Sequence, residues 1–390
     1  WLVLRCAVSR MHPDRVPDTE SLLDLVALGT VADCVSLSSP TNRYVVRAGL
    51  EQINRRARPC WSVLFDRGIV RDSASADDLA YGIGPRMNAL GRLSCALGGV
   101  WYLLSPDRAT AWRWCEHLDE VNEQRKSIER SLTSQALAQA ARQRAEGRAG
   151  LVLYLPDGHP GVHGIVASRV VEHFGCPTVC FSPDARGGGQ LTGSARGIPG
   201  VHVRQALHRA VRRKQTVIRF GGHAGAGGIV MRYRGFATFR KSFDAAVRHQ
   251  LGDEVAAALA PTVVTDGALG DEDFTVDAIE SLNALGPFGQ GFPAPQFTGR
   301  FTVVAQRRIG VDARHLRLTL RSEDGAVLTA IWFAAVDDAA SPDPLAVSDT
   351  ISCIYAPFIN RYRGRCQVQL RLRTVVRLSG AGDRRPIAAA

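Results

Sequence analysis

The residues Phe220-Gly221-Gly222-His223-Ala224-Gly225-Ala226-Gly227-Gly228 place five glycines around one histidine, between a basic helical segment and an apolar strand-like segment. Glycine has no Cβ, so its backbone can approach a ligand closely and turn N–H groups toward an anion. His223 supplies the only side chain in the stretch with chemistry of its own. The pattern is typical of a tight turn with a solvated histidine or of a phosphate-binding loop, and its flanks favour the second.

The flanking sequence is strongly basic. From Arg186 to Arg248 there are thirteen arginines and lysines and one acid, Asp244, which suits a polyanionic partner. The 390-residue chain has a formal net charge of +11, and only three of its 48 basic residues are lysines. Arginine offers a planar fork that fits phosphate bidentately. A codon preference for arginine would give the same composition, so composition alone leaves the partner open.

Length and composition indicate a globular protein of two or three domains, because single cores stop growing near about 250–300 residues. The nine cysteines contain no Cys-x-x-Cys pair, which favours reduced thiols in a cytoplasmic protein over a disulfide framework or zinc site. No apolar run approaches the ~20 residues of a membrane span, and no signal peptide is recognisable. Because the sequence starts at Trp1 rather than Met, we expect it to be part of a longer chain.

Residues 1 to 105 predict an α/β segment with two polar features. The apolar segment Leu22 to Ala32 ends in a small-residue turn and Asp33, whose carboxylate could bind a divalent cation or serve as a cap. Farther on, glycine and proline punctuate a predicted turn that carries Arg86, Asn88 and Arg92. Such a turn could hold phosphates or be a basic surface loop.

The middle of the chain predicts a long helix followed by a second α/β segment. From about Pro106 to Gly147 apolar residues recur at helical spacing, and after Leu132 the pattern thins to Ala and Gln, which predicts a partly exposed helix joining two domains. Beyond it, short apolar strands alternate with helices, and a strand-like segment ends in Ser194 and Arg196. His159 and His163 are four apart, but Pro160-Gly161 makes a helical metal pair unfavourable.

The C-terminal third changes to a period of two. Five strand-like segments, two of which alternate cleanly, follow an acidic helix and an irregular Gly/Pro/Phe segment, Leu285 to Pro295. Five strands with one polar, arginine-bearing face predict a small OB-like barrel, which is a common single-strand binder, although a generic barrel would show the same periodicity. The tail from Ser379 is predicted to be disordered.

Several of these motifs together resemble the RecJ family of the DHH phosphoesterase superfamily, from about Leu22 to Val376. The matching stretches occur in the family's order: Leu22 to Asp33, Gly84 to Leu93, His159 to Arg169, Gly193 to Arg196, Gly222-His223 in the DHHA1 domain, and Leu285 to Pro295. Any one of them is weak evidence, whereas six in order are specific.

The resemblance implies an enzyme that hydrolyses single-stranded DNA from its 5′ end. In the family, Asp and His residues hold Mn²⁺ or Mg²⁺, which activate water and neutralise the scissile phosphate. Asp33 matches one metal ligand, and Arg86 and Asn88 match catalytic positions near the metal and the DNA backbone. Ser194, Arg196, Gly222 and His223 match the side of the cleft where the terminal phosphate is gripped, through a hydroxyl, a guanidinium and free N–H groups. Arg169 is a further phosphate candidate.

The chain departs from the family pattern in three ways. The family's Asp-x-Asp, further Asp and Asp-His-His motifs are missing and are expected to precede Trp1, so we predict that this chain alone hydrolyses DNA poorly or not at all. Gly158-His159 stands where the family usually has Trp-His, which removes the ring that could stack at position 158. His-Ala-Gly-Ala-Gly-Gly stands where His-Ala-Met-Ala-Ala-Gly is commoner, and small residues there preserve a phosphate cradle.

Three functions remain in view: part of a RecJ-type exonuclease acting in DNA repair and recombination, a non-catalytic single-strand-binding protein on the same scaffold, or a DHH phosphodiesterase of short oligonucleotides. The barrel argues against the third, and Asp33 and Arg86 favour the first. We expect a cytoplasmic monomer that binds single-stranded DNA, with single-strand binding protein as a possible partner and no membrane contact. The predicted organisation is a partial DHH domain (1–105), a connecting helix (106–148), a DHHA1 domain (149–252), an OB-like domain (261–378) and a disordered tail (379–390).

Overall fold

The computed structural model describes residues 1–8, 10–11, 18–184, 187–211, 216–255, 259, 262–336, 340–362, 364–378 and 387–388. The chain forms two compact units. The first comprises Trp1–Arg55, Ala74–Leu79 and Val263–Ala390, and the second comprises Arg56–Ser73 and Ala80–Thr262. This division groups residues 1–55 with the C-terminal part of the chain, so the compact units do not follow the predicted boundary at residue 105. Among the described residues, no helix has the length and apolar character to cross a membrane.

The N-terminal segment is helical. Its elements are α1 Leu2–Val8, α2 Leu23–Ala32, α3 Pro40–Asn54, α4 Pro59–Asp66, a π-helical turn Asp78–Ile83, α5 Gly84–Leu93 and α6 Leu97–Leu103. No described residue before 105 lies in a strand, so the predicted α/β character of this segment is wrong. The turn predicted around Arg86 is helix α5, because Pro85 occupies its first turn, where a fixed φ and a missing N–H are tolerated.

The predicted long helix is α7, Arg108–Ala145, and the Asp107 side chain accepts from Thr110 N at its start. One face of its C-terminal half is buried, because Leu132, Ala136 and Ala140 belong to the core of the second unit, while residues such as Gln135 and Ala138 are exposed. The alanines have small side chains that fit against this core. The thinning to Ala and Gln therefore marks a close helix–sheet contact on one face, and the predicted partial exposure is confirmed for the other face.

The second unit contains a five-stranded sheet with strands β1 Leu151–Tyr154, β2 Thr178–Pro183, β3 Gln190–Arg196, β4 Val217–Gly222 and β5 Ala226–Arg232. The strand order is β1-β2-β3-β5-β4, so β1 and β4 are the edge strands. Strands β1 and β2 are parallel, and the other pairs are antiparallel. Three helices accompany the sheet: α8 Pro160–Phe174, α9 Val203–Val211 and α10 Phe236–Leu251. Alternating strand residues and these helices share one apolar core.

The first unit contains the predicted barrel. After helix α11, Val276–Ala284, come β6 Phe297–Ile309, β7 His315–Ser322, β8 Val327–Trp332, β9 Thr350–Tyr362 and β10 Arg365–Arg377. The barrel closes because β10 pairs with both β8 and β9. Its core is formed by inward residues such as Leu316, Leu318 and Leu320 on β7, while Arg317 and Arg321 on the same strand are exposed. In the predicted disordered tail, 379–386 and 389–390 lie outside the described residues, and β11, Ile387–Ala388, pairs with β10.

Candidate nucleic-acid interface

Asp33, the predicted metal ligand, caps the carboxyl end of α2 in the first unit. The chain leaves the helix through Cys34, whose φ is +54°. The N–H groups of Cys34 and Val35 donate to the carbonyls of Val31 and Thr30 at 3.1 and 3.0 Å, which is the pattern of a Schellman helix end. The Asp33 carboxylate is exposed, so this helix end presents it to solvent from an ordered turn.

A divalent cation in a protein needs several hard oxygen or nitrogen ligands. Across the part of the chain that the structure describes, no three His, Cys, Asp or Glu side chains are grouped so that they could hold a metal ion. Asp33 thus belongs to no such group among the described residues. The described residues do not by themselves fit a Mn²⁺ or Mg²⁺ site.

Arg86, on α5 in the second unit, is held in an ion pair. Its Nε donates to Asp119 Oδ1 of α7 at 2.6 Å, and its Nη1 donates to the carbonyl of Gly82 at 2.6 Å. Asp119 also accepts from Arg67 Nη2 at 2.9 Å. The side chain of Arg86 keeps 21% of its surface exposed, so α7 orients this guanidinium and balances part of its charge.

Asn88 and Arg92 lie one turn apart on α5 and therefore share a face. Asn88 is exposed. Arg92 Nη1 donates to the carbonyl of Gly161 in the first turn of α8 at 3.0 Å. A Cβ at Gly161 would overlap the backbone of Arg92, so this glycine lets the end of α5 rest on the start of α8.

The start of α8 is fixed by His159, which is its N-cap residue with φ −104° and ψ 125°. Its Nδ1 accepts from Gly161 N at 3.1 Å, so one ring nitrogen serves as a helix cap. His163, one turn farther, is fully buried, and among the described residues neither of its ring nitrogens has a hydrogen-bond partner. Burial, with a smaller effect of nearby His159, lowers the pKa of His163 to about 4.

Position 158 is a glycine for a steric reason. A Cβ there would come within 2.8 Å of His163 Nε2 and 2.9 Å of Ser182 Cβ, distances that real Cβ atoms do not show. The buried His163 ring fills the space beside Gly158. A large ring at position 158, as the resemblance would have it, is not compatible with this packing.

Ser194 and Arg196 lie on one face of β3, because strand side chains alternate, and both are half-buried. The Arg196 guanidinium packs against Gly164 in α8, where any side chain would overlap it. Its Nη1 donates to the carbonyl of Ala195 at 2.9 Å. Burial, followed by the positive charge of Arg92, lowers the pKa of Arg196. Two guanidiniums therefore meet near the first turns of α8, whose amino end also favours negative charge.

Two further arginines border this pair. Burial and the charge of Arg125 lower the pKa of Arg92, while Glu129 opposes that effect. Arg125 pairs with Glu129 at 2.7 Å. Arg169, a predicted phosphate ligand, pairs with Glu129 at 3.3 Å and with Glu172 at 3.0 Å. Arg169 thus has its charge balanced by two carboxylates, whereas Arg92 and Arg196 make no ion pair with a described residue.

The glycine-rich stretch is a β-hairpin, not the loop that we predicted. Gly221 and Gly222 end β4, and Gly227 and Gly228 begin β5. Gly222 has φ +144° and no space for a Cβ. No heavy atom lies within 4 Å of a Cβ built at Gly221, and the only such contact at Gly228 is a carbonyl at 3.9 Å. Because Gly228 pairs with Ser194, the glycines leave an open strip of sheet beside that hydroxyl.

The turn of the hairpin uses its own N–H groups. His223 N donates to the carbonyl of Ala226 at 2.8 Å, and Gly225 N donates to His223 Nδ1 at 3.3 Å. The carbonyls of His223 and Ala224 accept from the first N–H groups of α9 at 3.3 and 2.8 Å. The expectation of free N–H groups is therefore wrong for His223 and Gly225, because the turn closes on itself and caps α9. The His223 side chain is exposed.

Of the predicted site residues, the structure brings Ser194, Arg196 and the Gly222 hairpin together on the sheet of the second unit. Arg86 and Arg169 lie in ion pairs, and Asp33 belongs to the first unit. The resemblance assigned no role to Arg92, which the structure places with Arg196. Helical spacing was the available signal, since Arg92 follows Asn88 by four residues and a helical reading puts both on one face.

Two family models match the chain. The DHHA1 domain model matches residues 147–249, and the RecJ OB domain model matches residues 265–374. These ranges cover the five-stranded sheet of the second unit and nearly all of the closed barrel.

Relatives and solved structures extend this similarity. The single-stranded-DNA-specific exonuclease RecJ of Haemophilus influenzae is 36% identical over 364 residues, and that of Dickeya dadantii is 38% identical over 361 residues; each alignment covers 91% of this chain. The chain spans 61% of the length of these two relatives. A crystal structure of RecJ in complex with Mg²⁺ from Thermus thermophilus matches with a TM-score of 0.75 at 26% identity, over 94% of this chain and 53% of that chain. A complex of RecJ with Mn²⁺ from the same organism gives a TM-score of 0.74 over 92% of this chain and 50% of that chain.

Proposed function

This chain is a RecJ homologue that carries the DHHA1 and OB domains of that family, and we propose that it is the DNA-gripping part of a single-stranded-DNA-specific exonuclease. The complete protein would hydrolyse phosphodiester bonds from the 5′ end. The observation that supports this most directly is the meeting of Arg92 and Arg196 near the first turns of α8, beside the open strip at Ser194 and Gly228.

The geometry suits a terminal phosphate. Two guanidiniums held close together, neither of them in an ion pair with a described carboxylate, repel each other, and a bound dianion would relieve that repulsion. The amino end of α8 adds a favourable dipole, and the Ser194 hydroxyl can donate a hydrogen bond. The glycine strip admits the sugar–phosphate backbone because no side chain stands above it.

The proposed hydrolysis needs a metal site that the described residues of this chain do not form. Mn²⁺ or Mg²⁺ would supply an activated water and neutralise charge on the scissile phosphate. Asp33 is the carboxylate that this chain would contribute to such a site. We propose that the chain by itself binds DNA and hydrolyses it poorly or not at all.

The wider role is proposed on the same basis. Like its relatives, the complete protein would act on single-stranded DNA, and we place it in DNA repair and recombination in the cytoplasm. We propose that it works as a monomer, with single-strand binding protein as a partner.

The experiment compares this chain with a version extended upstream to the length of the relatives. Both receive a 5′-phosphorylated single-stranded oligonucleotide and Mn²⁺, and nucleotide release and binding are measured separately. We expect both proteins to bind and only the extended one to release nucleotides, with Asp33→Ala abolishing release. As a control, Asp312→Ala removes an exposed carboxylate from a barrel loop and should change nothing.

A non-catalytic single-strand-binding protein is the second candidate, because the described residues contain no group of metal ligands. It predicts binding without release from both proteins, and that result would replace the exonuclease proposal. If neither protein bound the oligonucleotide, both proposals would be wrong.

A further inference from the structure

The two edge strands of the five-stranded sheet, β1 and β4, differ in whether other parts of the chain bond to their outer backbone groups. At the β1 edge, the Gln143 side chain donates to the carbonyl of Val152 at 2.8 Å and accepts from its N–H at 3.2 Å. Gln139 makes the same pair of bonds with Tyr154, at 2.7 and 3.1 Å. Helix α7 therefore closes this edge through two glutamine side chains.

The opposite edge, β4, is open. Within the described residues no strand pairs with its outer side, and no side chain bonds to the backbone from Val217 to Gly222. Ile218 is 49% exposed on this strand, and Arg219 beside it is exposed. A strand edge with unpaired N–H and C=O groups is a template for another extended chain.

A groove of about 400 Å³ lies beside this edge, between β4 and α9. It is lined by His202, Arg204, Gln205, His208 and Phe220. The rings of His208 and Phe220 stand 6.2 Å apart at 50°. A chain added to β4 would point every second side chain toward α9, so the groove can receive an apolar side chain of that chain.

The surroundings of the groove are cationic. Arg204 and Arg209 on α9 and Arg219 on β4 are exposed, and none of the three forms an ion pair with a described residue. No acidic side chain lines the groove. The edge therefore favours a partner with negative charge.

We propose that the β4 edge and its groove bind an extended acidic peptide of a partner protein. The peptide adds as a sixth strand, its backbone pairs with β4, an apolar side chain enters the groove against Phe220 and His208, and its carboxylates meet Arg204, Arg209 and Arg219. The phosphates of a DNA backbone could pair with the arginines. DNA has no alternating N–H and C=O groups, however, that could pair with the exposed backbone of β4. For this reason the observations favour a peptide over a nucleic acid.

The same features disfavour pairing between two copies of the chain. Two β4 edges would bring their arginines together, and like charges across a strand pair are destabilising. The arginines thus select an oppositely charged partner.

The groove of the proposed peptide site lies on the opposite face of the sheet from the phosphate grip, which is formed by Arg92, Arg196 and Ser194. Phe220 pairs with buried Ile229, and a Cβ at Gly227 would meet Val203 and Leu207 of α9 at 3.2 and 2.8 Å. Ser194 pairs with Gly228, on the other face of the sheet. A peptide and a DNA strand can therefore occupy the unit together, and this inference does not depend on the proposed exonuclease function.

The test uses an acetylated eight-residue peptide of alternating aspartate and phenylalanine, labelled for fluorescence anisotropy, with the full 390-residue chain. We expect saturable binding and slower amide hydrogen exchange at Val217–Gly222 in the complex. A matched peptide that is N-methylated at alternate residues keeps the charges and side chains but cannot pair as a strand. It should bind at least tenfold more weakly; equal binding of the two peptides would overturn the proposal.

Charge-reversal variants test whether peptide binding depends on the arginines beside the groove or only on the net positive charge of the chain. Arg204→Glu combined with Arg209→Glu should weaken peptide binding at least tenfold. Lys241→Glu combined with Arg113→Glu, the same change of charge at exposed positions of α10 and α7, should leave it within twofold. An unphosphorylated oligonucleotide should not slow exchange at Val217–Phe220, the part of β4 outside the glycine strip. If the oligonucleotide protects β4 and the peptide does not bind, the groove is a nucleic-acid contact and the peptide proposal is wrong.

Discussion

Arg196 is the side chain through which the phosphate grip can be tested most directly. It is oriented by Gly164 and the Ala195 carbonyl, and its removal should cost the chain its preference for a 5′-phosphate. We expect Arg196→Ala to weaken binding of a 5′-phosphorylated oligonucleotide roughly 10- to 100-fold, the value of one or more charge-assisted hydrogen bonds. Binding of the 5′-hydroxyl oligonucleotide should change much less.

The control for this substitution is Arg113→Ala, which removes an exposed arginine from α7 and should leave both affinities unchanged. Arg196→Lys keeps the charge but loses the planar fork, so it should restore only part of the preference. Equal losses for the 5′-phosphate and 5′-hydroxyl oligonucleotides would show that Arg196 does not read the terminus.

A side chain at Gly164, inside helix α8, should displace the Arg196 guanidinium from its place. Alanine in a helix interior is normally about 1 kcal/mol more favourable than glycine, yet a Cβ at Gly164 would overlap the Arg196 guanidinium. We expect Gly164→Ala to lower affinity for the 5′-phosphorylated oligonucleotide. Gly29→Ala is the matched control, because no atom lies within 4 Å of its added Cβ, and urea unfolding should show stabilisation there.

His163 should make the stability of the chain depend on pH. Its pKa is lowered to about 4 from 6.5, so the neutral ring is favoured in the folded state. Its contribution to stability is complete above pH 6.5 and is lost as the pH falls toward 4, because the unfolded chain then takes up the proton first. The loss is at most about 1.4 kcal/mol per pH unit.

Urea unfolding of the wild type and of His163→Leu between about pH 7 and pH 4.5 checks this expectation. The difference in stability between the two proteins should move in favour of the variant as the pH falls. A difference that does not change with pH would mean that His163 is not responsible.

At the scale of elements, periodicity predicted helix α7, four strands of the sheet and the five barrel strands, because each depends on local hydrophobic spacing. It did not predict β4, whose end lies in the glycine-rich stretch. Periodicity failed where contacts between elements determine which residues are buried and where a helix begins. The alanines and glutamines of α7 resemble an exposed face in sequence. Ala136 and Ala140 nevertheless pack on the sheet, and Gln139 and Gln143 bond to a strand edge. The Gly84-Pro85 pair resembles a turn, whereas it starts α5.

The contact between α7 and β1 can be measured as an element-scale property. Gln143 satisfies both backbone groups of Val152, so Gln143→Ala leaves them unpaired in a buried setting. We expect a loss of about 1–3 kcal/mol in the free energy of unfolding. Gln135→Ala, on the exposed side of the same helix, should be neutral or slightly stabilising in urea unfolding. A neutral Gln143→Ala would contradict the closed β1 edge.

At the scale of the whole molecule, the candidate site was predictable only in part. Ser194 and Arg196 were found because a short motif places them on one strand face. The approach of Arg92 to α8 joins residues 69 positions apart, and no local pattern reports such a contact. The ion pair of Arg86 with Asp119 depends on how α5 packs on α7. The sequence alone therefore could not show that the charge of Arg86 is paired with a carboxylate.

The basic surface of the whole chain should appear in the salt dependence of DNA binding. On a log–log plot, affinity for single-stranded DNA should fall with salt by about 0.7 for each phosphate contact. Arg317 and Arg321 lie exposed on one face of β7, and replacing both by alanine should reduce the slope by up to about 1.4 for a long oligonucleotide. A four-nucleotide 5′-phosphorylated oligonucleotide is expected to bind first at Arg196. The salt dependence of its affinity should therefore not change when Arg317 and Arg321 are replaced. An unchanged slope for the long oligonucleotide would mean that this barrel face does not contact the DNA backbone.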